Sequence, residues 1–243
     1  MGTSADRDGG KGGPWSPLKR ASTAYAKTVG SGSGGGDSDA ARLLLGRHVA
    51  IFGGAGPASN SARTGKSTLA ALGGFLASVG SSGLQNALHE VGLGHLIGRD
   101  RFDVLDELVT LMTGDASDLE SQAARDAQCD VMDDLFGDAE AWGELDGISI
   151  TAERLEALLA VFVARYVYNR VPTLPERLAR IMDPAAAKAA DRQIVELIQG
   201  VVDLQMPETP LTFDWSGQAG RDFADQAIND IYRILESSGD ADL

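Results

Sequence analysis

The stretch Thr151–Val171, TAERLEALLAVFVARYVYNRV, sets the kind of fold open to this chain. Leu155, Leu158, Leu159, Phe162 and Tyr166 recur at three- and four-residue spacing, the period of one helix face. Val161, Val163 and Val167 make the surround apolar as well, so the segment reads as a buried central helix rather than the strand VFVARYVY alone suggests. Thr151 is placed to cap its start, and Pro172 stops it.

The same period runs through the rest of the chain. Ala41, Leu44, Leu45, His48, Val49 and Phe52 form one stripe, with Ser38 or Asp39 as its cap. Leu69, Leu72, Leu76 and Val79 form the next, opened by Thr64. Leu84, Leu88, Val91 and His95 share a face; Phe102, Leu105, Leu108, Val109 and Met112 share another, closed by Gly114. Ser117 to Glu120, S-D-L-E, has the form of a capping box before Leu119, Ala123, Ala127, Val131 and Leu135, and Gly137 ends that helix. A short helix is expected near Pro175–Met182. Asp183-Pro184 then starts another, with proline at the first helical position, carrying Ile194, Leu197, Ile198 and Val201. Ser216 opens a last helix with Phe223, Ala227, Ile231 and Ile234 inward. No window shows sustained strand alternation with hairpin turns. The predicted class is all-α: a single, multi-helix, bundle-like domain over residues 38–237, a flexible Gly/Ser/Pro-rich arm over 1–37 and a disordered tail over 238–243.

Hydrophobic residues at 43% and charged residues at 23% suit a soluble protein with a real core. The net charge of −14 is unevenly spread: residues 1–66 hold nine Lys/Arg against four Asp/Glu, the remainder twelve against thirty-one. An acidic body repels phosphate backbones, so direct nucleic-acid binding is not expected. No apolar run approaches the roughly 20 residues that span a bilayer. The N-terminus lacks the apolar core of a signal peptide, and a cytoplasmic location is expected. Trp15 stands in the arm as a large apolar side chain, either docked back on the body or in contact with another protein.

The segment Arg47–Gly80 carries the one echo of catalytic machinery, Gly65-Lys66-Ser67-Thr68 at a helix start. A phosphate-binding loop needs G-x-x-x-x-G-K-[ST], with glycine at both ends so the backbone can wrap the phosphates. Here the first glycine position is Asn60, and Gly56 makes the loop four residues too long. The segment before it reads as helix, and no later apolar strand ends in an aspartate for magnesium. Two small helices joined by a Gly/Ser/Asn loop is the better reading; a nucleotide site at Gly65, Lys66 and Ser67 is the alternative.

Other chemistries fit less well. His89 and His95 are six positions apart, about 240° around a helix, where a shared zinc needs four. Asp130, Asp133, Asp134 and Asp138 lack the D-x-D-x-D-G order of a calcium loop. Cys129 is the only cysteine; it sits among carboxylates, which raise a thiol pKa, and reads as structural. No catalytic residue, metal or cofactor is expected.

Three segments together resemble the QatB family of the bacterial Qat anti-phage defence system. MGTSADRDGGKGGPWSP is similar to that family's opening Met-Gly-Thr-Ser, Gly/Lys/Pro spacer and Pro-Trp pair. ARLLLGRHV, a Gly-rich loop and ARTGKSTLAALGGFLA resemble its first two helices, where related chains carry no such lysine. LTFDWSGQAGRDFADQAINDIYRILE resembles its closing Asp-Trp, Gly and amphipathic helix. The compact spacer and the GKST are departures. The resemblance implies a non-enzymatic member of a four-protein operon, beside a membrane-type (KAP-type) P-loop ATPase, a QueC-like deazapurine enzyme and a TatD-like nuclease. Trp15 and Trp215 are its candidate partner contacts.

Gly2 is the candidate for modification. Removal of Met1 leaves it as an unhindered α-amine, and Asp6 stands where a myristoylation signal wants Ser or Thr. Its pKa of about 7.7–8.0 leaves a usable unprotonated fraction. A QueC-like partner would let this amine take the place of ammonia, forming an amide-linked deazaguanine.

Overall fold

A computed structural model describes residues 15–31, 37–171, 179–180 and 182–240. The fold is all-α, with no strand among the described residues. Packing divides the chain into two compact units: Met1–Ala58 with Thr173–Gln193 and Tyr232–Leu243, and Ser59–Pro172 with Ile194–Ile231.

The first unit opens with α1, Trp15–Ser31, which packs against α2, Asp37–Ile51. Helix α1 lies within residues 1–37, the span expected as an arm. Leu18, Ala21, Tyr25 and Ala26 recur at helical spacing and are buried, so the segment has a packed face. Tyr25 donates its hydroxyl to the Ala190 carbonyl at 3.2 Å and to Gln193 Oε1 at 3.0 Å. Residues 1–14, and with them Gly2, lie outside the described residues. The stripe expected on α2 is buried at Ala41, Leu44, Leu45, His48 and Val49. Gly53 and Gly54 then turn the chain at φ +87° and +107°. The loop expected next holds a short helix, α3, Ala55–Asn60, whose Ala55 N–H is taken by Glu236 Oε1 at 3.1 Å.

The second unit is arranged around α4, Arg63–Ser82. It touches α5 (Leu84–Glu90), α6 (Arg101–Thr113), α7 (Leu119–Phe136) and α9 (Ala152–Asn169). Short turns at Gly94–Leu96 and Pro210–Thr212, and α8 at Trp142–Asp146, fill between them. Helix α9 is the buried one its composition predicts: Leu155, Leu158, Leu159, Phe162, Val163, Tyr166 and Val167 are all in the core. Thr151 caps it by accepting the Arg154 N–H at 3.2 Å.

Two caps differ from expectation. The residue before α4 is Ala62, and Thr64 lies inside the first turn. The capping box of α7 runs from Asp118 to Ser121, one residue on from Ser117: Asp118 Oδ1 accepts the Ser121 N–H at 2.8 Å, and Ser121 Oγ accepts the Asp118 N–H at 3.1 Å. Asp118 is held below the usual carboxylate range by the Ser121 N–H and then by the Ser121 hydroxyl, which donates to the same Oδ1 at 3.0 Å. The shift releases Glu120 for another role. Phe102 and Leu119, expected inward, are 67% and 68% exposed: α6 buries Val104, Leu108, Val109 and Thr113 instead, and Leu119 is the first residue of α7, ahead of its buried Ala123, Ala127 and Val131.

Helix α10, Pro184–Gln199, starts as expected, with Asp183 Oδ1 accepting the N–H groups of Ala185 and Ala186, both at 3.1 Å. The helix expected near 175–182 falls mostly outside the described residues. Helix α11, Gln218–Asp240, runs into the expected tail, its last turn supported by Ser237 and Ser238 hydroxyls donated to the Ile234 carbonyl.

Candidate functional site

The start of α4 is where a phosphate would bind if Gly65-Lys66-Ser67 formed a nucleotide site. The first turn of a helix presents unpaired N–H donors and a partial positive charge. In this chain a carboxylate from α7 meets them. Glu120 Oε2 accepts the Thr64 N–H at 3.0 Å, and Oε1 accepts the Gly65 N–H at 2.9 Å. Tyr166 of α9 donates its hydroxyl to the same Oε1 at 2.6 Å. The carboxylate thus spans two N–H groups, as a phosphate does in a binding loop, and is itself held by a third donor.

Gly65 has a packing reason to be glycine. A Cβ at that position would overlap the ring of Tyr166. Tyr166 stacks on Phe162 at 6.0 Å, and the Arg170 guanidinium lies 5.6 Å from the Tyr166 ring centre while donating to Ser61 Oγ at 2.8 Å. The Lys66 ammonium pairs with Asp225 at 2.5 Å, on the α11 segment of this unit. Ser67 donates its hydroxyl back to the Thr64 carbonyl at 2.9 Å, a local helix bond. Each of the three residues named for a nucleotide site therefore has a partner within the protein's own fold.

The second feature is a cleft of about 780 Å³ in the same unit. Its floor is the small-residue face of α4, including Ala70, Ala71 and Gly74; Leu111 and Met112 of α6 form one wall and Phe213 and Trp215 the other. It has no local signature, because its walls come from segments about a hundred residues apart. Trp215 is only 2% exposed. Its Nε1 donates to the Pro210 carbonyl at 2.8 Å, and Phe213 and Phe223 meet its ring edge-on, each at 5.0 Å. A Cβ on Gly73 would overlap that ring. Trp215, named as a partner contact, is in this fold a core residue that offers a partner almost no surface.

Trp15, the other named contact, is 38% exposed at the first position of α1. Cys129 is exposed; partial burial of its thiol, the largest influence, and then nearby Asp126, Asp130 and Asp106 push its pKa up against the pull of Arg125. Such a thiol is a poor nucleophile. His89 lies in α5 and His95 in the following turn, Asp126, Asp133 and Asp134 of α7 face solvent, and no group of three or more metal-ligating side chains gathers among the described residues. No helix of the described residues is long and apolar enough to cross a membrane.

Comparison with known families gives one match: the family described as Qat anti-phage system associated protein QatB, over residues 53–235. No curated protein matches, and no solved structure matches.

Proposed function

Because the chain belongs to the QatB family and so is a component of a Qat anti-phage system, we propose that it acts there as a non-enzymatic adaptor. The observation that carries this reading is the family match across residues 53–235, which spans the whole second unit. Its helical body would engage the KAP-type P-loop ATPase of the same operon in the cytoplasm, and its N-terminus would be offered to the QueC-like enzyme. The TatD-like nuclease would be the third partner.

The proposed modification is at Gly2. The QueC-like enzyme would spend ATP to activate a deazaguanine carboxylate as its adenylate, releasing pyrophosphate. The unprotonated Gly2 amine would attack the acyl carbon, AMP would leave, and the amine would lose a proton to give an amide. An N-terminal amine suits this better than a lysine, whose pKa of about 10.4 leaves far less free base.

The alternative, nucleotide binding at Gly65, Lys66 and Ser67, is disfavoured by the contacts around those residues. A phosphate would have to displace Glu120 from two N–H groups and draw Lys66 from Asp225. Intact-mass spectrometry of the chain expressed with its operon neighbours tests the main reading. It predicts a mass increase equal to one deazaguanine carboxylic acid less one water, carried after digestion by the N-terminal peptide and lost in Gly2→Pro along with phage protection. An unmodified terminus beside an active QueC-like enzyme, or full protection by Gly2→Pro, overturns the modification. The adaptor role is read separately, by co-purification with the ATPase.

A further inference from the structure

We propose that the exposed face of α1 docks on the exposed face of α6 in a second copy of the chain. Helix α1 contains no acidic residue. Its buried side is occupied by Leu18, Ala21, Tyr25 and Ala26, while Trp15, Lys19, Arg20 and Lys27 are exposed. None of these three cations enters an ion pair among the described residues. Three unpaired positive charges and an exposed tryptophan on one side of a helix are unusual in a chain of net charge −14.

The complementary pattern is present on α6. Residues 100–156 carry seventeen Asp/Glu against three Lys/Arg, which makes this the most acidic part of the chain. On α6, Phe102 is 67% exposed with the Arg101 guanidinium 4.7 Å from its ring centre, and Asp103, Asp106 and Glu107 are exposed beside it. Asp106 reaches Arg125 only at 3.4 Å and remains 77% exposed. The spacing matches that of α1. From Trp15, cations follow at four and five residues, Lys19 and Arg20; from Phe102, carboxylates follow at four and five, Asp106 and Glu107. At about 1.5 Å of rise per residue, two antiparallel helices with Arg20 opposite Glu107 would bring Lys19 beside Asp106 on the same flank, with Trp15 and Phe102 at opposite ends of the contact.

A copy of the chain fits this face better than a nucleic acid does. A duplex samples the field of the whole protein, and fourteen excess negative charges oppose it against at most three phosphate contacts. A neighbouring helix senses charges within a Debye length, about 8 Å at physiological salt, where α1 is purely basic. One helix pair buries less than the roughly 1,200 Å² of a stable interface, so the association is weak and salt-dependent.

Sedimentation of the full chain at high protein concentration tests this at about 0.15 M salt, with a Debye length near 8 Å that screens the repulsion of the net charges but not a helix contact, and at about 1 M, with one near 3 Å. The weight-average mass should exceed that of a monomer at the lower salt and return to it at the higher. Lys19→Glu/Arg20→Glu and Asp106→Lys/Glu107→Lys should each be monomeric at the lower salt and associate when mixed. Circular dichroism melting of each variant separates lost contact from lost fold. A monomeric wild type at the lower salt overturns the proposal, as does self-association persisting in either variant or failure of the mixture to associate. A wild type that stays monomeric yet shifts a duplex oligonucleotide also overturns it, by giving the face to phosphate backbones.

Discussion

The carboxylate of Glu120 holds the backbone N–H of Gly65 at 2.9 Å across 55 residues of chain, and so joins the start of α4 to the start of α7. With Thr64 at 3.0 Å and the Tyr166 hydroxyl at 2.6 Å, Glu120 is the meeting point of three helices. The bond to Tyr166 also explains the glycine, since the ring that donates to Glu120 lies against the Gly65 Cα. One side chain thus both stabilises the helix start and fills the place of an anion.

Removing it should be costly. Glu120→Ala leaves two helix N–H groups and a tyrosine hydroxyl without their acceptor, and should lower unfolding free energy by about 1–3 kcal/mol. Tyr166→Phe removes one bond and should cost about 0.5–1.5 kcal/mol. Because both act through one oxygen, the double variant should lose less than the sum. Urea denaturation of the four proteins measures this, and strict additivity would refute the shared-acceptor account. Gly65→Ala should destabilise by about 1–3 kcal/mol through overpacking on Tyr166.

Lys66 should behave in the opposite way. Its partner Asp225 is 68% exposed, and exposed pairs are worth about 0–1 kcal/mol. Lys66→Ala should therefore melt close to the wild type, and calorimetric titration with ATP should give no saturable heat for either protein. Micromolar binding that Lys66→Ala abolishes would restore the nucleotide reading.

Trp215 is tied to the core by its ring contacts and by its bond to Pro210. Trp215→Ala should cost about 3–5 kcal/mol in denaturant unfolding. An unchanged melting temperature with lost binding to the ATPase would mark the residue as an interface instead. Gly73→Ala should also destabilise, because its methyl group enters the space of the same ring.

The helices could be read from the sequence because burial on a helix repeats every three to four residues, and α9 and α2 show that repeat with large side chains. Helix α1 is hard to tell from linker in the sequence because its buried face relies on Ala21 and Ala26 beside Leu18 and Tyr25, a pattern of low apolar content in a Gly/Ser/Lys setting. At α7 the cap is Asp118, one residue past Ser117; both are competent caps, and local sequence cannot rank them. The tie from Glu120 to α4 has no local signature at all. It depends on how α4, α7 and α9 are packed, which periodicity does not encode.

Asp130 supplies a pH test. Partial burial, the largest influence, pushes its carboxyl above the ordinary value; Arg165 at 3.4 Å pulls it down, and Asp126, Asp133 and Asp134 add to the rise. A carboxyl raised in the folded state binds its proton more tightly there than in the unfolded chain. Stability from this group is therefore greatest below the unfolded value, about 3.9, and is lost as pH rises through the raised folded value. At neutral pH the charged Asp130 is a net burden, and Asp130→Asn should raise the melting temperature. The gain should shrink as pH is lowered toward the ordinary carboxylate range, where the wild-type group also becomes neutral. Melting curves of both proteins from neutral to acid pH check the sign. A lower melting temperature for Asp130→Asn at neutral pH would show instead that the attraction to Arg165 outweighs burial and the neighbouring carboxylates.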